Sequence, residues 1–136
     1  MTMIHQTPIR VRYSETDQMG IAHHASYAAW FEVARIDFLE AVGSSYKSME
    51  ERGFLLAVIE LSIRYRKPAL FDERITVRSW LKSVKPVKVG FQYEVVNEAG
   101  DILTEGTTIL GCLNREGRPQ GLPPDVLELL MKAMAD

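Results

Sequence analysis

Apolar and polar residues alternate along five stretches of the chain, a pattern typical of β-strands with one buried face. These predicted strands cover residues 7–14, 55–65, 75–81, 87–95 and 102–113. The last four follow one another through short polar turns, among them Lys85–Pro86 and Asn97–Asp101. Because short turns join antiparallel neighbours, these strands are predicted to form an antiparallel sheet.

Between the first two predicted strands the apolar spacing changes to three and four residues, which predicts a helix over about 25–42. Its apolar stripe is Tyr27, Phe31, Ala34, Phe38 and Ala41. A second, short amphipathic helix is predicted after Pro123–Pro124. The long helix has so few polar residues that other elements must cover it. We therefore expect one α+β domain over residues 1–136, with a curved antiparallel sheet of about five strands wrapped around a long central helix.

Some apolar residues fall on the face of the strands that this arrangement turns outward, namely Leu56, Val58 and Trp80. Exposed apolar patches of this kind mark interaction surfaces. We therefore expect part of the outer face to pack against a second subunit.

Composition and charge narrow the class of protein. The formal net charge of −2 argues against a dedicated nucleic-acid-binding domain, since these are usually basic. Cys112 is the single cysteine, which excludes a disulfide framework and a cysteine-based zinc site. A reducing compartment such as the cytoplasm fits this usage. We expect neither a signal peptide nor a membrane span, because the chain has no long uninterrupted apolar run.

The chemistry is concentrated in residues 13–27, which hold two acidic residues, two histidines, a glycine and the start of the long helix. A helix N-terminus presents unpaired N–H groups and a partial positive charge, which can stabilise a developing oxyanion. A nearby Asp17 carboxylate could attack an acyl carbonyl or activate water for that attack. This pairing predicts acyl-group chemistry.

Structural interpretations of the same residues stay open. An aspartate shortly before a glycine often forms an Asx turn, so Asp17 could shape a loop. His24 or Ser26 could cap the helix. Glu32 and Arg35 lie three apart and could form a local ion pair. Adjacent histidines point apart, and no third ligand is evident, so His23 and His24 are not expected to bind a metal.

The segment resembles the signature of hotdog-fold acyl-CoA thioesterases of the 4-hydroxybenzoyl-CoA thioesterase-like family. The likeness is greater to the branch associated in many bacteria with the Tol-Pal system, and it extends over essentially the whole chain. The residues that carry it are Asp17, Gly20, His24, Tyr27, Glu32 and Arg35, followed by Arg66, Lys67, Pro68, Ala69 and Asp72.

The resemblance implies a hotdog fold and assigns roles. Asp17 matches the catalytic carboxylate, His24 the position whose backbone N–H polarises the thioester carbonyl, and Tyr27 an aromatic residue near the site. Gly20 and Tyr27 are accordingly expected to contact the substrate. It further implies a site at the interface of a homodimer or homotetramer, and no cofactor, since coenzyme A is part of the substrate. Two positions depart from the pattern: His23 replaces a residue that is commonly aromatic, and Glu15 one that is commonly aspartate.

Coenzyme A carries phosphates, so cationic side chains are expected near the site. Two basic clusters are candidates for this contact: Arg64, Arg66 and Lys67 at one strand end, and Lys82, Lys85 and Lys88 around a turn. Lysines at strand ends also serve solubility and discourage aggregation, so each of them has a purely structural interpretation as well.

The expected function is hydrolysis of small to medium acyl-CoA thioesters. Two alternatives belong to other classes: a hotdog hydratase or dehydratase, and a non-catalytic module that binds acyl-CoA or acyl-carrier protein. A thioesterase that acts on acyl-carrier protein also fits the residues.

Overall fold

The computed structural model describes residues 2–134. These residues form five strands, three α-helices and one 3₁₀ helix. In chain order these are β1 (His5–Arg10), the 3₁₀ helix (Tyr13–Glu15), α1 (His24–Ala41), α2 (Tyr46–Glu51), β2 (Leu55–Tyr65), β3 (Arg74–Val84), β4 (Lys88–Asn97), β5 (Ile102–Leu113) and α3 (Pro124–Met134).

The strands form one antiparallel sheet in the order β1-β3-β4-β5-β2, which confirms the predicted α+β class and the five-stranded sheet. The first strand is shorter than predicted, because it ends at Arg10 and not at residue 14. The Glu15 carboxylate accepts a hydrogen bond from the backbone N–H of Arg12 at 2.8 Å. Since β1 is an edge strand and Val11 already donates to the Glu73 carbonyl on the β3 side, the Arg12 N–H points away from β3. Its bond to Glu15 gives this N–H an acceptor where the chain turns into the 3₁₀ helix.

Helix α1 packs on the sheet through aromatic side chains. Phe31 stacks on Tyr93 with ring centroids 4.3 Å apart, and Phe38 meets Phe91 edge-to-face at 5.3 Å. Gly106 on β5 makes room for this contact, since a Cβ added there would lie 2.4 Å from the Phe31 ring. The glycine therefore determines how closely the helix approaches the sheet.

The predicted outward orientation of Leu56 and Val58 is wrong. Both are paired with residues of β5 whose side chains are buried, and the pairing shifts between Val58 and Glu60. This irregularity inserts one extra residue, Ile59, and reverses which residues face inward. The alternation of apolar and polar residues along the sequence does not show where such a shift in strand pairing occurs. Trp80 does lie on the outer face, between buried neighbours in β3, and is partly buried.

Strand β2 lies at the edge of the sheet, next to β5. Three of its apolar side chains are about half exposed, with relative exposures of 46% for Val58, 50% for Ile59 and 46% for Leu61.

No helix within residues 2–134 is both long and apolar enough to cross a membrane.

Candidate active site

The Asp17 loop (residues 16–22) connects the 3₁₀ helix to α1. It closes on itself through hydrogen bonds from the Asp17 N–H to the Ile21 carbonyl at 2.8 Å and from the Gly20 N–H to the Asp17 carbonyl at 3.0 Å. Gly20 has a φ of 77°, a conformation that residues with a Cβ rarely adopt. The conformation of its backbone explains the glycine, so its predicted contact with substrate stays a prediction.

The Asp17 carboxylate is exposed and only half engaged. One oxygen accepts a hydrogen bond from the Met19 N–H at 2.8 Å, so the Asx-turn interpretation is correct. The other carboxylate oxygen has no hydrogen-bond partner in the described part of the chain. The turn orients the side chain, while the second oxygen stays available for a substrate or a water molecule.

Helix α1 begins beside this carboxylate without a side-chain cap. His23 is the N-cap residue, and its side chain makes no capping hydrogen bond. The interpretation of Ser26 as a cap is wrong, because its hydroxyl donates to the Glu15 carbonyl at 2.8 Å. The first N–H groups of a helix have no partner within the helix, and here the first two residues of α1, His24 and Ala25, are exposed.

Asp17 and the start of α1 line one cleft with a volume of about 460 Å³. Its other lining residues are Ile21, Ala22, His23, His24 and Ala25. The structure thus brings the carboxylate and the helix N-terminus to the same open space.

A neighbouring cleft of about 250 Å³ contains the aromatic residues of the site. The His24 ring stacks on Tyr65 with ring centroids 4.5 Å apart. Tyr27 is 2% exposed, and its hydroxyl accepts a hydrogen bond from the Ala69 N–H at 3.3 Å. Tyr27 therefore packs beneath the cleft and supports its wall.

Glu15 is a buried carboxylate two residues before Asp17, with 7% of its surface exposed. Its oxygens accept hydrogen bonds from the Arg12 N–H at 2.8 Å, the Trp30 indole N–H at 2.8 Å and the Arg12 guanidinium at 3.3 Å. Burial by itself raises the pKa of Glu15, but these hydrogen bonds outweigh burial and hold that pKa below its usual value. Glu15 is therefore ionised at neutral pH.

The six predicted cationic residues do not gather at one place. Arg66 and Lys67 line the cleft that holds His24 and Tyr65. They are paired with Glu105 at 2.9 Å and Asp101 at 3.4 Å. Arg64 lines a different depression, together with Ser62, Gln92, Glu105, Gly106 and Thr107.

Lys82, Lys85 and Lys88 lie where β3 turns into β4. The Asp17 loop lies at the opposite end of β3, where Ala22 donates a backbone hydrogen bond to Ala69 at 2.8 Å. Lys82 lies eight positions along β3 from Arg74, which corresponds to roughly 25 Å. Within one subunit, these lysines are therefore too distant to act together with Asp17.

The predicted ion pair between Glu32 and Arg35 is wrong: within residues 2–134 their charged groups do not come within ion-pair distance. Arg35 is 7% exposed and donates to the Tyr93 hydroxyl at 3.4 Å. Burial raises the pKa of Tyr93, so that hydroxyl stays protonated and offers a neutral partner.

No group of three or more potential metal ligands occurs among the described residues.

Sequence reasoning missed two residues of this region. The sequence marks Glu15 only as a departure from a family pattern, because its hydrogen bonds to Arg12 and Trp30 form only in the folded chain. The alternation along β2 gives no sign that Tyr65 belongs to the site, because its contact with His24 depends on how β2 and α1 meet in space.

Residues 11–130 match the family model described as the thioesterase-like superfamily, and the chain belongs to that superfamily. The protein is thus an enzyme of the thioester hydrolase class, as the sequence predicts.

Individual relatives are consistent with this class. The chain is 37% identical over 108 residues to the putative acyl-CoA thioesterase YneP of Bacillus subtilis, covering 79% of this chain and 78% of that protein. It is 26% identical over 127 residues to the acyl-CoA thioester hydrolase YbgC of Escherichia coli, covering 93% and 95%. Among solved structures, a DHNA-CoA thioesterase from Staphylococcus aureus superposes with a TM-score of 0.92 at 36% identity, covering 95% and 89%. These neighbours have the hotdog fold that the sequence predicts.

Proposed function

We propose that the protein hydrolyses small to medium acyl-CoA thioesters to the free acid and coenzyme A. The observation that carries this proposal is the cleft shared by the Asp17 carboxylate and the N-terminus of α1. The names of the relatives above support coenzyme A as the carrier. The likeness to the Tol-Pal-associated branch stays a prediction, as does a cytoplasmic location.

The proposed mechanism uses charge complementarity at the thioester carbonyl. Attack on this carbonyl places negative charge on its oxygen, and preorganised N–H donors stabilise that charge. The backbone N–H of His24 is proposed as such a donor, because it is at the first residue of α1.

Asp17 would attack the carbonyl carbon directly, expelling the thiolate and forming an acyl anhydride that water then hydrolyses to the free acid and the Asp17 carboxylate. Alternatively, it would take a proton from a water molecule that attacks the carbonyl carbon and expels the thiolate. Its second oxygen is available for either role. The geometry favours neither role over the other. Neither route requires a cofactor.

The proposal includes assembly through the edge of β2. A long, exposed, apolar edge strand presents unpaired backbone groups and is a ready template for a second chain. We propose that two copies pair antiparallel along β2, whose central residue is Glu60. This pairing covers Val58, Ile59 and Leu61.

Pairing along β2 has a consequence for the lysine cluster. Antiparallel pairing about Glu60 brings the Tyr65 end of one β2 to the Leu55 end of the other. Lys88 is in register with Gly111, and Gly111 with Ala57, so Lys88 lies only two strands, about 10 Å, from that end of β2. Lys82, Lys85 and Lys88 of one copy would thus approach the Arg66 and Lys67 region of the other, where coenzyme A phosphates need cations.

A thiol-release screen over acyl-CoAs of graded length tests the proposed activity. We expect turnover of small and medium acyl groups, measured as free thiol. Parallel assays of enoyl-CoA hydration and of acyl-carrier-protein thioesters test the alternatives. Hydration without thiol release would instead indicate a hydratase, and acyl-CoA binding without either reaction would indicate a binding module.

A further inference from the structure

Glu15 joins the Asp17 loop to helix α1 through both its side chain and its backbone. Its carboxylate accepts the Trp30 indole N–H at 2.8 Å, from the second turn of α1. Its backbone carbonyl accepts the His23 N–H at 3.0 Å and the Ser26 hydroxyl at 2.8 Å. Glu15 thus accepts hydrogen bonds from the N-cap residue, the first turn and the second turn of the helix.

Both ends of the Asp17 loop are attached to residues that make these contacts. On one side Asp17 follows Glu15 by two residues, and on the other side the loop returns through the bridge between Thr16 and Ala22 to His23. The position of the Asp17 carboxylate relative to the helix N–H groups therefore depends on how Glu15 sits against α1. Misplacement of a reacting group by about 1 Å can cost around 100-fold in rate.

We propose that Glu15 is a positioning residue, which sets the distance between the Asp17 carboxylate and the N-terminus of α1. This role rests on the proposed function, because it concerns the geometry of that reaction. Three donors converge on the Glu15 side chain: the Arg12 N–H, the Arg12 guanidinium and the Trp30 indole. A carboxylate accepts all three.

Two substitutions that remove these hydrogen bonds distinguish a positioning role of Glu15 from a role in burial alone. Glu15→Gln keeps the shape of the side chain, but its amide NH₂ group cannot accept a hydrogen bond. At least one of the three donors therefore loses its acceptor. Trp30→Phe removes a single donor from the opposite side and leaves Glu15 in place. Both changes loosen the same connection while Asp17 and the cleft residues stay unchanged.

The test measures kcat and KM for thiol release in Glu15→Gln, Trp30→Phe and the double variant. Glu94→Gln is the matched control, since Glu94 is also paired with an arginine, Arg78 at 2.6 Å, but lies outside the site. We expect kcat to fall by about 10- to 100-fold in Glu15→Gln with KM within about twofold, a smaller loss in Trp30→Phe, and a double variant no slower than Glu15→Gln because both changes break one contact.

A merely structural role predicts something else: kcat per folded molecule would be unchanged, with only the melting temperature lowered. That result, or a double variant with multiplied losses, would overturn the proposal. If Glu15→Gln does not fold, Trp30→Phe decides alone, and a wild-type kcat there overturns it.

Amide hydrogen exchange supplies a readout that does not depend on turnover. We expect faster exchange of the amides of residues 17–24 in Glu15→Gln and Trp30→Phe, but not in Glu94→Gln. Equal exchange in all variants would contradict positioning. An enzyme without acyl-CoA turnover that still shows this change in exchange would refute the proposed function and leave the positioning of the loop supported.

Discussion

At the scale of single residues, the site combines an ordinary loop motif with an uncapped helix. Asp17 forms a common Asx turn through one carboxylate oxygen, and within residues 2–134 the other oxygen has no hydrogen-bond partner. His23 provides no cap for that helix. A capping side chain would occupy the N–H groups that the proposed oxyanion needs, so the lack of a cap at this helix start is consistent with the proposed reaction.

Asp37 supplies a residue-scale prediction about pH. Its carboxylate accepts hydrogen bonds from His5 at 2.7 Å and Thr7 at 2.8 Å, which tie α1 to β1. The hydrogen bond from His5 is the main reason why the pKa of Asp37 lies below its usual value. Because the folded-state pKa is lowered, the stabilisation is present above the unfolded value of about 3.9 and is lost as the pH falls through the folded value.

We therefore expect Asp37→Asn to lower the free energy of unfolding at pH 6, measured by urea denaturation. The loss should be about 1 kcal/mol or less, because the pair is partly exposed. The difference from wild type should narrow when both are measured near pH 3. Glu40→Gln, an exposed change on the same helix, is the control and should have little effect at either pH. A gap that stays constant between the two pH values would contradict this account.

At the scale of elements, the contact between α1 and the sheet depends on a missing side chain. Phe31 occupies the space above Gly106 that a Cβ would fill, and its ring stacks on Tyr93. Interiors are close-packed, so an added methyl group there forces side chains or backbone to move.

Gly106→Ala is expected to destabilise the protein by about 1–3 kcal/mol, seen as a lower urea midpoint. Gly111→Ala on the same strand is the matched control, because its Cβ would meet Ile59 at an ordinary 3.7 Å. Combining Gly106→Ala with Phe31→Leu should recover part of the loss. Equal midpoints for the two alanine variants would show that Phe31 adapts freely.

The sequence predicts the elements well where periodicity governs them and less well where tertiary contacts do. The stripe from Tyr27 to Ala41 predicts α1 to within a residue at each end. The alternation in β2 misleads before Ile59, because one extra residue inverts the pattern there. The end of β1 lies where the Arg12 N–H bonds to the Glu15 carboxylate, a contact that no periodicity reveals.

For the site, sequence reasoning finds Asp17 and the start of α1, and the structure places them on one cleft. Their catalytic roles stay predictions. The cations are harder to predict, since Lys82 and Lys67 look alike in sequence but lie at opposite ends of the sheet. Charge alone does not specify position, and only the strand order separates them.

At the scale of the whole molecule, the open edge of β2 determines how the enzyme would assemble. Ile59→Lys combined with Leu61→Lys adds charge to this edge, which discourages strand pairing. We expect sedimentation equilibrium to show a dimer for wild type and a monomer for this variant, with weaker binding of acyl-CoA because the lysine cluster of the second copy is lost.

Met131→Lys is the control for that experiment, because Met131 is similarly exposed at 53% but lies on α3. It should leave the mass unchanged. A wild-type protein that stays monomeric at all concentrations, or a double variant that remains dimeric, would contradict assembly through β2.

The central claim is that a carboxylate and a row of helix N–H groups act on one thioester. The most direct measurement is kcat for thiol release by Asp17→Asn beside Asp125→Asn, which alters an aspartate on α3 that does not line the cleft. We predict a loss of about 100-fold or more for Asp17→Asn, with an unchanged oligomer and a nearly unchanged melting temperature, and wild-type turnover for Asp125→Asn. Turnover retained by the Asp17→Asn enzyme would contradict the account.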